Sequence, residues 1–306
     1  MAAPVSISVI LPHLNQPSYL ERTLDALKEQ DYPLESVEII VVDNGSKQEA
    51  LDTVSAMSRS YRFILLHEDE PGPGPARNKG VSEATHDTLA FIDSDCVPDK
   101  RWLSAIVECL ADNPDCAIGG DVRILYEDPR YLTDIEAYES VFAYQQKNYI
   151  EKKHFSGTGN LAMTRKIYEK VGPFRGLGVA EDRDWGQRAT KLGVAIVYCS
   201  GMIVFHPGRV SFEELCVKWR RHILHDHEQN LENRKGAVSW LILVCLVLAS
   251  IPVHAAKTMT SGRLERTGDR FKAIKCLVRI RLYRAFYMLK VFLAPKELEN
   301  GPQWNR

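Results

Sequence analysis

No Gly-x-Gly-x-x-Gly follows the first strand-like run, and no Gly-x4-Gly-Lys-Ser/Thr is present, so dinucleotide-binding and P-loop readings have no residues to stand on. The seven cysteines, at 96, 109, 116, 199, 216, 245 and 276, form no Cys-x-x-Cys or other metal-ligand spacing, and their odd number argues against a disulfide framework. A reduced, cytosolic setting is expected. Met1 to Ser8 lacks a charged segment followed by a long apolar one, so a secretory signal is not expected there. Internal repeats and low-complexity tracts are absent too. Charge of either sign is scarce in the sum, which is −1 over 306 residues. That sum hides an asymmetry: residues 257–296 hold eleven Lys and Arg against Glu265 and Asp269, leaving an acidic body with a basic tail.

With 45% hydrophobic residues the chain can bury an enzyme-sized core. Val5 to Leu11 is apolar and β-branched and reads as a buried strand stopped by Pro12; Tyr19 to Gln30 then places Leu20, Thr23, Leu24 and Leu27 on one helical face. Val37 to Val42 repeats the strand pattern, Ala50 to Ser60 the helix, Phe63 to Leu66 a third strand, Pro75 to Thr85 a third helix, and Thr88 to Ile92 a fourth strand. Alternating elements with strands apolar throughout predict an α/β fold, a mostly parallel central sheet with helices on both faces. Tyr131 to Ile150 reads as an aromatic-rich helical insertion, and from Ser211 onward the pattern is helical.

In such sheets ligands bind beyond the carboxyl ends of the strands. The residues there are Asn15, Asp43 and the triplet Asp93-Ser94-Asp95. Asp93 and Asp95 place two hard oxygen donors on one loop, suited to Mg²⁺ or Mn²⁺ that also meets phosphate oxygens. An Asp-x-Asp alone is weak evidence, and the chain has a second at Asp182-Arg183-Asp184. The context adds to the first: Leu89 to Asp93 exposes its acid only at the strand's end.

Six stretches in order, ISVILPHLN (7–15), VEIIVVDNGS (37–46), PARNKG (75–80), LAFIDSDCVP (89–98), GTGNLAMTR (157–165) and AEDRDWGQRATKLG (180–193), together resemble the family 2 glycosyltransferases of the GT-A fold over roughly residues 5–225. The resemblance implies an inverting, metal-dependent transfer of sugar from a nucleotide-sugar donor, most simply a UDP-sugar, to a glycan or lipid-linked acceptor. It implies that Asp43 hydrogen-bonds the donor base in a pocket shaped by Pro12 and Asn15, and that Arg77 and Asn78 meet the sugar or diphosphate. It implies that Asp93, Ser94 and Asp95 hold metal and ribose, with Asp95 the direct ligand and His206 completing the metal shell. Asp182, beside Glu181, matches the family's general base; Asn160 falls on the acceptor side, and Arg220 and Arg221, with Lys218, match a lid over the diphosphate. The QxxRW motif of the processive synthases is missing, with VKWRR (217–221) near its place, which favours transfer of one residue. A sugar-nucleotide pyrophosphorylase would need a Gly-rich basic loop that Leu14 to Tyr19 does not supply, and an inactive scaffold would not need the four acids at 43, 93, 95 and 182.

Ala237 to Ala256 carries no formal charge over twenty residues, about the length of a membrane crossing. Basic residues flank it on both sides, Arg234 and Lys235 before and Lys257 onward after, so a peripheral or re-entrant placement on the cytoplasmic face is expected ahead of a single span. The expected division is a transferase domain over 1–225 and a helical, basic, membrane-associated region over 226–306. A membrane surface is an expected partner and nucleic acid is not.

Overall fold

A computed structural model describes residues 4–232 and 236–293, with the side chains at 228, 229, 231 and 232 outside that description. Arg234, Lys235 and Lys296 also lie outside the described residues. The chain divides into two compact units, Met1–Leu125 with Gln145–Pro207 and Tyr126–Tyr144 with Gly208–Arg306. The boundary expected after residue 225 falls inside a helix of the second unit, Phe212–Glu232.

The first unit starts as the sequence pattern demands. β1 (Ile7–His13), α1 (Pro17–Lys28), β2 (Val37–Asp43), α2 (Gln48–Met57), β3 (Ile64–His67), α3 (Pro73–Glu83) and β4 (Thr88–Ile92) alternate in order. β1 runs on through Pro12 to His13 rather than stopping before it. The ladder toward β4 has already ended at Ile10, which leaves a place for a residue with no N–H to donate. β5 (Val97–Pro98), α4 (Trp102–Asp112) and β6 (Ala117–Leu125) follow, and after the excursion into the second unit come α6 (Gln146–Lys153), β7 (Asn160–Thr164), α7 (Arg165–Val171), α8 (Glu181–Lys191) and β8 (Ile196–Pro207).

The eight strands form one mixed sheet in the order β3-β2-β1-β4-β7-β6-β8-β5. β3, β2, β1 and β4 are parallel, β7 is antiparallel to both β4 and β6, and β6 and β8 are parallel again. Both faces are covered. Ile10, Ile40 and Phe91, opposite one another in register, pack with Ala76 and Val81 of α3 and with Trp185 of α8, while Val9, Leu11 and Val41 on the other face are equally buried. Close helix–sheet contact requires Gly80, where a Cβ would stand 2.4 Å from Cγ2 of Ile10.

The second unit comprises α5 (Asp134–Phe142), α9 (Phe212–Glu232), α10 (Ala237–Met259) and α11 (Thr267–Leu293). A reciprocal Thr133–Glu136 capping box starts α5. Ile135 and Tyr138 of α5 share a core with Leu215 and Cys216 of α9 and with Cys276, Leu277 and Ile280 of α11. Among the described residues one helix, α10, is long and apolar enough to cross a membrane; Pro252 lies inside it, and Val238, Ile242, Leu246 and Val253 are exposed on it.

Candidate active site

Parallel strands in register bring their carboxyl ends to one edge. His13, Asp43 and His67 are direct neighbours across β1, β2 and β3. The Asp43 carboxylate, 1% exposed, meets His13 Nδ1 at 3.4 Å and His67 Nδ1 at 3.3 Å, and accepts hydrogen bonds from the backbone N–H groups of Gly45 and Ser46 at 3.3 and 3.2 Å. Burial works against its charge, but Ser46 and His13 outweigh that and hold the carboxyl below the usual carboxylate range. Burial likewise keeps His13 below the ordinary imidazole value, partly offset by Asp43. Asn15 sits in the left-handed region (φ 57°), where its Oδ1 accepts from the Lys47 N–H at 2.7 Å and its own N–H donates to Ser46 Oγ at 2.9 Å. Asn15 thus ties the β1 turn to the β2 turn beside Asp43, with Pro12 in the strand below.

The second cluster stands at the end of β4. Asp93, Asp95 and Cys96 offer ligand atoms within 4.8 Å of one another. Their turn is pinned from α1: Thr23 Oγ1 donates to the carbonyls of Ser94 and Cys96 at 3.0 and 2.9 Å. Ser94 itself is buried. Across the sheet His206 of β8 places Nε2 3.5 Å from Asp95 Oδ2. Burial pushes the Asp95 carboxyl up, His206 opposes, and the Asp93 charge pushes further up. Two oxygen donors in like-charge repulsion and an imidazole beside them are a donor set that Mg²⁺ or Mn²⁺ fits. Gly159 leaves the room: a Cβ there would lie 2.4 Å from Asp93 Oδ2.

Arg77 joins this cluster to a third element. Its side chain is 2% exposed; Nη2 donates to Asp93 Oδ1 at 2.5 Å and Nη1 to Glu181 Oε1 at 3.3 Å. Glu181 and Asp182 occupy the first turn of α8, where the helix dipole favours acids. Burial raises the Asp182 carboxyl, and the Glu181 charge adds to it.

Other expected residues are engaged in the scaffold. Asn78 Oδ1 accepts from the Phe174 N–H and the Tyr168 hydroxyl, both at 2.9 Å, and Nδ2 donates to the Phe174 carbonyl at 2.8 Å. Asn160 is 0% exposed: it accepts from Trp102 Nε1 at 2.9 Å and donates to the carbonyls of Asp121 and Met202 at 2.8 and 2.9 Å, so it holds strands rather than facing a ligand. Lys218, Arg220 and Arg221 lie on α9 in the second unit; Arg220 donates to the Tyr283 hydroxyl at 2.6 Å and to Glu213. His13 and His67 join the site beyond the residues that the sequence pattern marks, and Thr23, expected only on a buried helix face, serves it by pinning the Asp93 turn. The signal was countable for the two histidines, since each stands where a parallel strand ends beside Asp43.

Residues 8–172 match the family profile described as Glycosyl transferase family 2. Glycosyltransferase AglE of Haloferax volcanii is 34% identical over 215 residues, 69% of this chain and 70% of that protein. Probable glycosyltransferase YdaM of Bacillus subtilis is 27% identical over 225 residues, 70% of this chain but only 52% of that protein. Among solved structures, mannosyltransferase PcManGT from Pyrobaculum calidifontis with GDP-Man and Mn²⁺ superposes with a TM-score of 0.55 at 19% identity, covering 96% of this chain and 90% of that one. S. aureus TarS 1–349 with UDP-GlcNAc gives 0.53 at 17%, covering 94% and 92%. At such identity these two likenesses speak to the fold, which is GT-A.

Proposed function

The chain belongs to glycosyl transferase family 2, and from that premise we propose that this glycosyltransferase moves a single sugar, with inversion and divalent-metal dependence, from a UDP-sugar to an acceptor hydroxyl on a lipid-linked or cell-surface glycan precursor. The observation that carries the reading is the Arg77 bridge, which fastens the metal-suited acids of β4 to the acidic first turn of α8.

Asp43 accepts the imide N–H of the donor base, and its depressed pKa keeps it an ionised acceptor at neutral pH. Asp93, Asp95 and His206 would hold Mn²⁺ or Mg²⁺. When bound, the cation neutralises charge developing on the departing nucleoside diphosphate. Asp182 takes the proton of the acceptor hydroxyl as that oxygen attacks the anomeric carbon; its raised pKa makes it a stronger base than a solvated aspartate. Arg77 offers no free fork to the diphosphate, because both its Nη atoms already hold carboxylates; it positions Asp93 and Glu181. The absent QxxRW motif supports single transfer, and exposed apolar α10 followed by basic α11 supports a seat on the cytoplasmic face of a membrane.

The test is a screen of nucleotide-sugars for Mn²⁺-dependent release of nucleoside diphosphate by membrane-reconstituted protein, beside Asp95→Ala. Turnover with one donor, lost in the variant, supports the reading. Turnover unaffected by chelator and by Asp95→Ala would remove the metal from it, and no turnover of any donor would remove the transfer.

A further inference from the structure

Among the described residues four buried side-chain nitrogens have no acceptor: Arg77 Nε in the first unit, and Trp219 Nε1, Arg281 Nε and Arg284 Nε in the second. A buried donor left unsatisfied costs free energy, so three in one helical unit call for an explanation. All three are donors, and what they lack is an acceptor. Arg281 and Arg284 lie one turn apart on α11, and no described carboxylate comes within ion-pair distance of either. Arg284 is stacked on the Trp219 ring at 3.6 Å, which fixes it in place. Burial, with the neighbouring Arg281 charge adding to it and Tyr138 and Asp226 opposing, depresses Arg284 to about 10.

Both arginines line a cavity of about 430 Å³ among α9, α10 and α11. The α10 part of the lining is largely apolar: Trp240, Leu243, Leu246 and Val247, with Ser250 and His254 toward its C-terminal end, belong to the helix long and apolar enough to enter a membrane. Asp226 is the one carboxylate in the lining, outnumbered by two guanidinium groups. The volume is that of a small-ligand site, cationic at one side and hydrocarbon-like at the other. A free phosphate would satisfy the arginines and leave the apolar wall unexplained; a neutral lipid would do the reverse.

We infer that this cavity takes the head of a phosphorylated lipid, with the two arginines on the phosphate oxygens and the lipid chain running along α10. Guanidinium groups bind phosphate through paired N–H donors, which is the acceptor these nitrogens want. Naming this lipid as the anchor of the sugar acceptor rests on the proposed function; the binding itself requires neither donor nor metal.

The experiment is co-sedimentation of the full-length protein with phosphatidylcholine vesicles containing farnesyl monophosphate, against matched vesicles containing farnesol, with inorganic phosphate as soluble competitor. The expected result is an affinity roughly tenfold or more higher for the phosphorylated lipid, lost in Arg281→Gln and in Arg284→Gln and retained in Arg279→Gln on the same helix. Far-UV circular dichroism and thermal melting identify any variant that fails to fold; Arg281→Gln, outside the Trp219 stack, then decides. Three outcomes overturn the inference: the advantage survives both substitutions, Arg279→Gln abolishes it equally, or inorganic phosphate competes as well as the lipid phosphate does. A failed donor screen with intact lipid binding would overturn the acceptor role alone.

Discussion

Replacing Arg77 by Met should damage both the stability of the first unit and its chemistry, because one buried guanidinium serves two carboxylates. It makes two charge-assisted hydrogen bonds, each worth about 1.5–3 kcal/mol, and breaking a buried pair costs about 3–5 kcal/mol. Asp93 and Glu181 are 39% and 23% exposed, so water recovers part of the loss once the arginine is gone. The lower figure then applies, about 3 kcal/mol, or roughly a hundredfold in the folding equilibrium. Catalysis suffers separately. Asp93 and the first turn of α8 lose their common tie, and a misplacement of about 1 Å can cost about a hundredfold in rate. The Arg77 charge also opposes the rise of the Asp182 carboxyl, so its removal moves the acid limb of the rate profile to higher pH. Urea unfolding and metal-dependent donor turnover read the two effects. Arg77→Lys, keeping the charge without the fork, should fall between. An Arg77→Met protein with the wild-type urea midpoint and kcat/KM within about twofold of wild type would refute the reasoning.

Asp182→Asn should lower kcat by about a hundredfold to ten-thousandfold with donor KM little changed, in steady-state assays with saturating acceptor. Because the Glu181 charge helps raise Asp182, Glu181→Gln should carry the acid limb of kcat/KM to lower pH, while an unmoved limb would assign it to another group. Asn160→Ala leaves Trp102 Nε1 and the carbonyls of Asp121 and Met202 without a partner, so denaturant titration should show a loss of about 3 kcal/mol or more, with near-normal kcat/KM for the fraction that folds. Burial lowers the pKa of His13 in the folded chain from 6.5. As pH falls through that value the unfolded chain takes up the proton first, so stability present above about 6.5 is lost on acidification. His13→Gln should flatten this part of the urea-midpoint profile.

Much of the parallel half of the sheet was legible because strands buried on both faces read as unbroken apolar runs; β4 was read residue for residue at Thr88–Ile92. The acids at the strand ends were legible because charge abruptly follows such runs. β7 was harder. Its residues Asn160–Thr164 pair antiparallel with β4 on one side and β6 on the other, and no local pattern announces direction. For the same reason Asn160 was placed with the acceptor: an amide that holds three strands and an amide that touches a sugar look alike until register is known. Arg77 was read as a residue facing ligand because nothing at the start of a helix marks an arginine as buried, and its partner Glu181 lies 104 residues away. His13 and His67 are legible in principle, because each ends a parallel strand in register with Asp43.

The second unit draws on two stretches of chain, and α5 is the early one. During synthesis α5 leaves the ribosome roughly ten seconds or more before α11, its partner in the Ile135–Tyr138 core, has been made. Its apolar face must wait through that interval, tethered to a sheet that is itself unfinished until β8 arrives. A chain cut after Pro207 would hold α5 in that waiting state permanently, so the C-terminal helices are a completion step of assembly and not an appendage that can be trimmed for solubility.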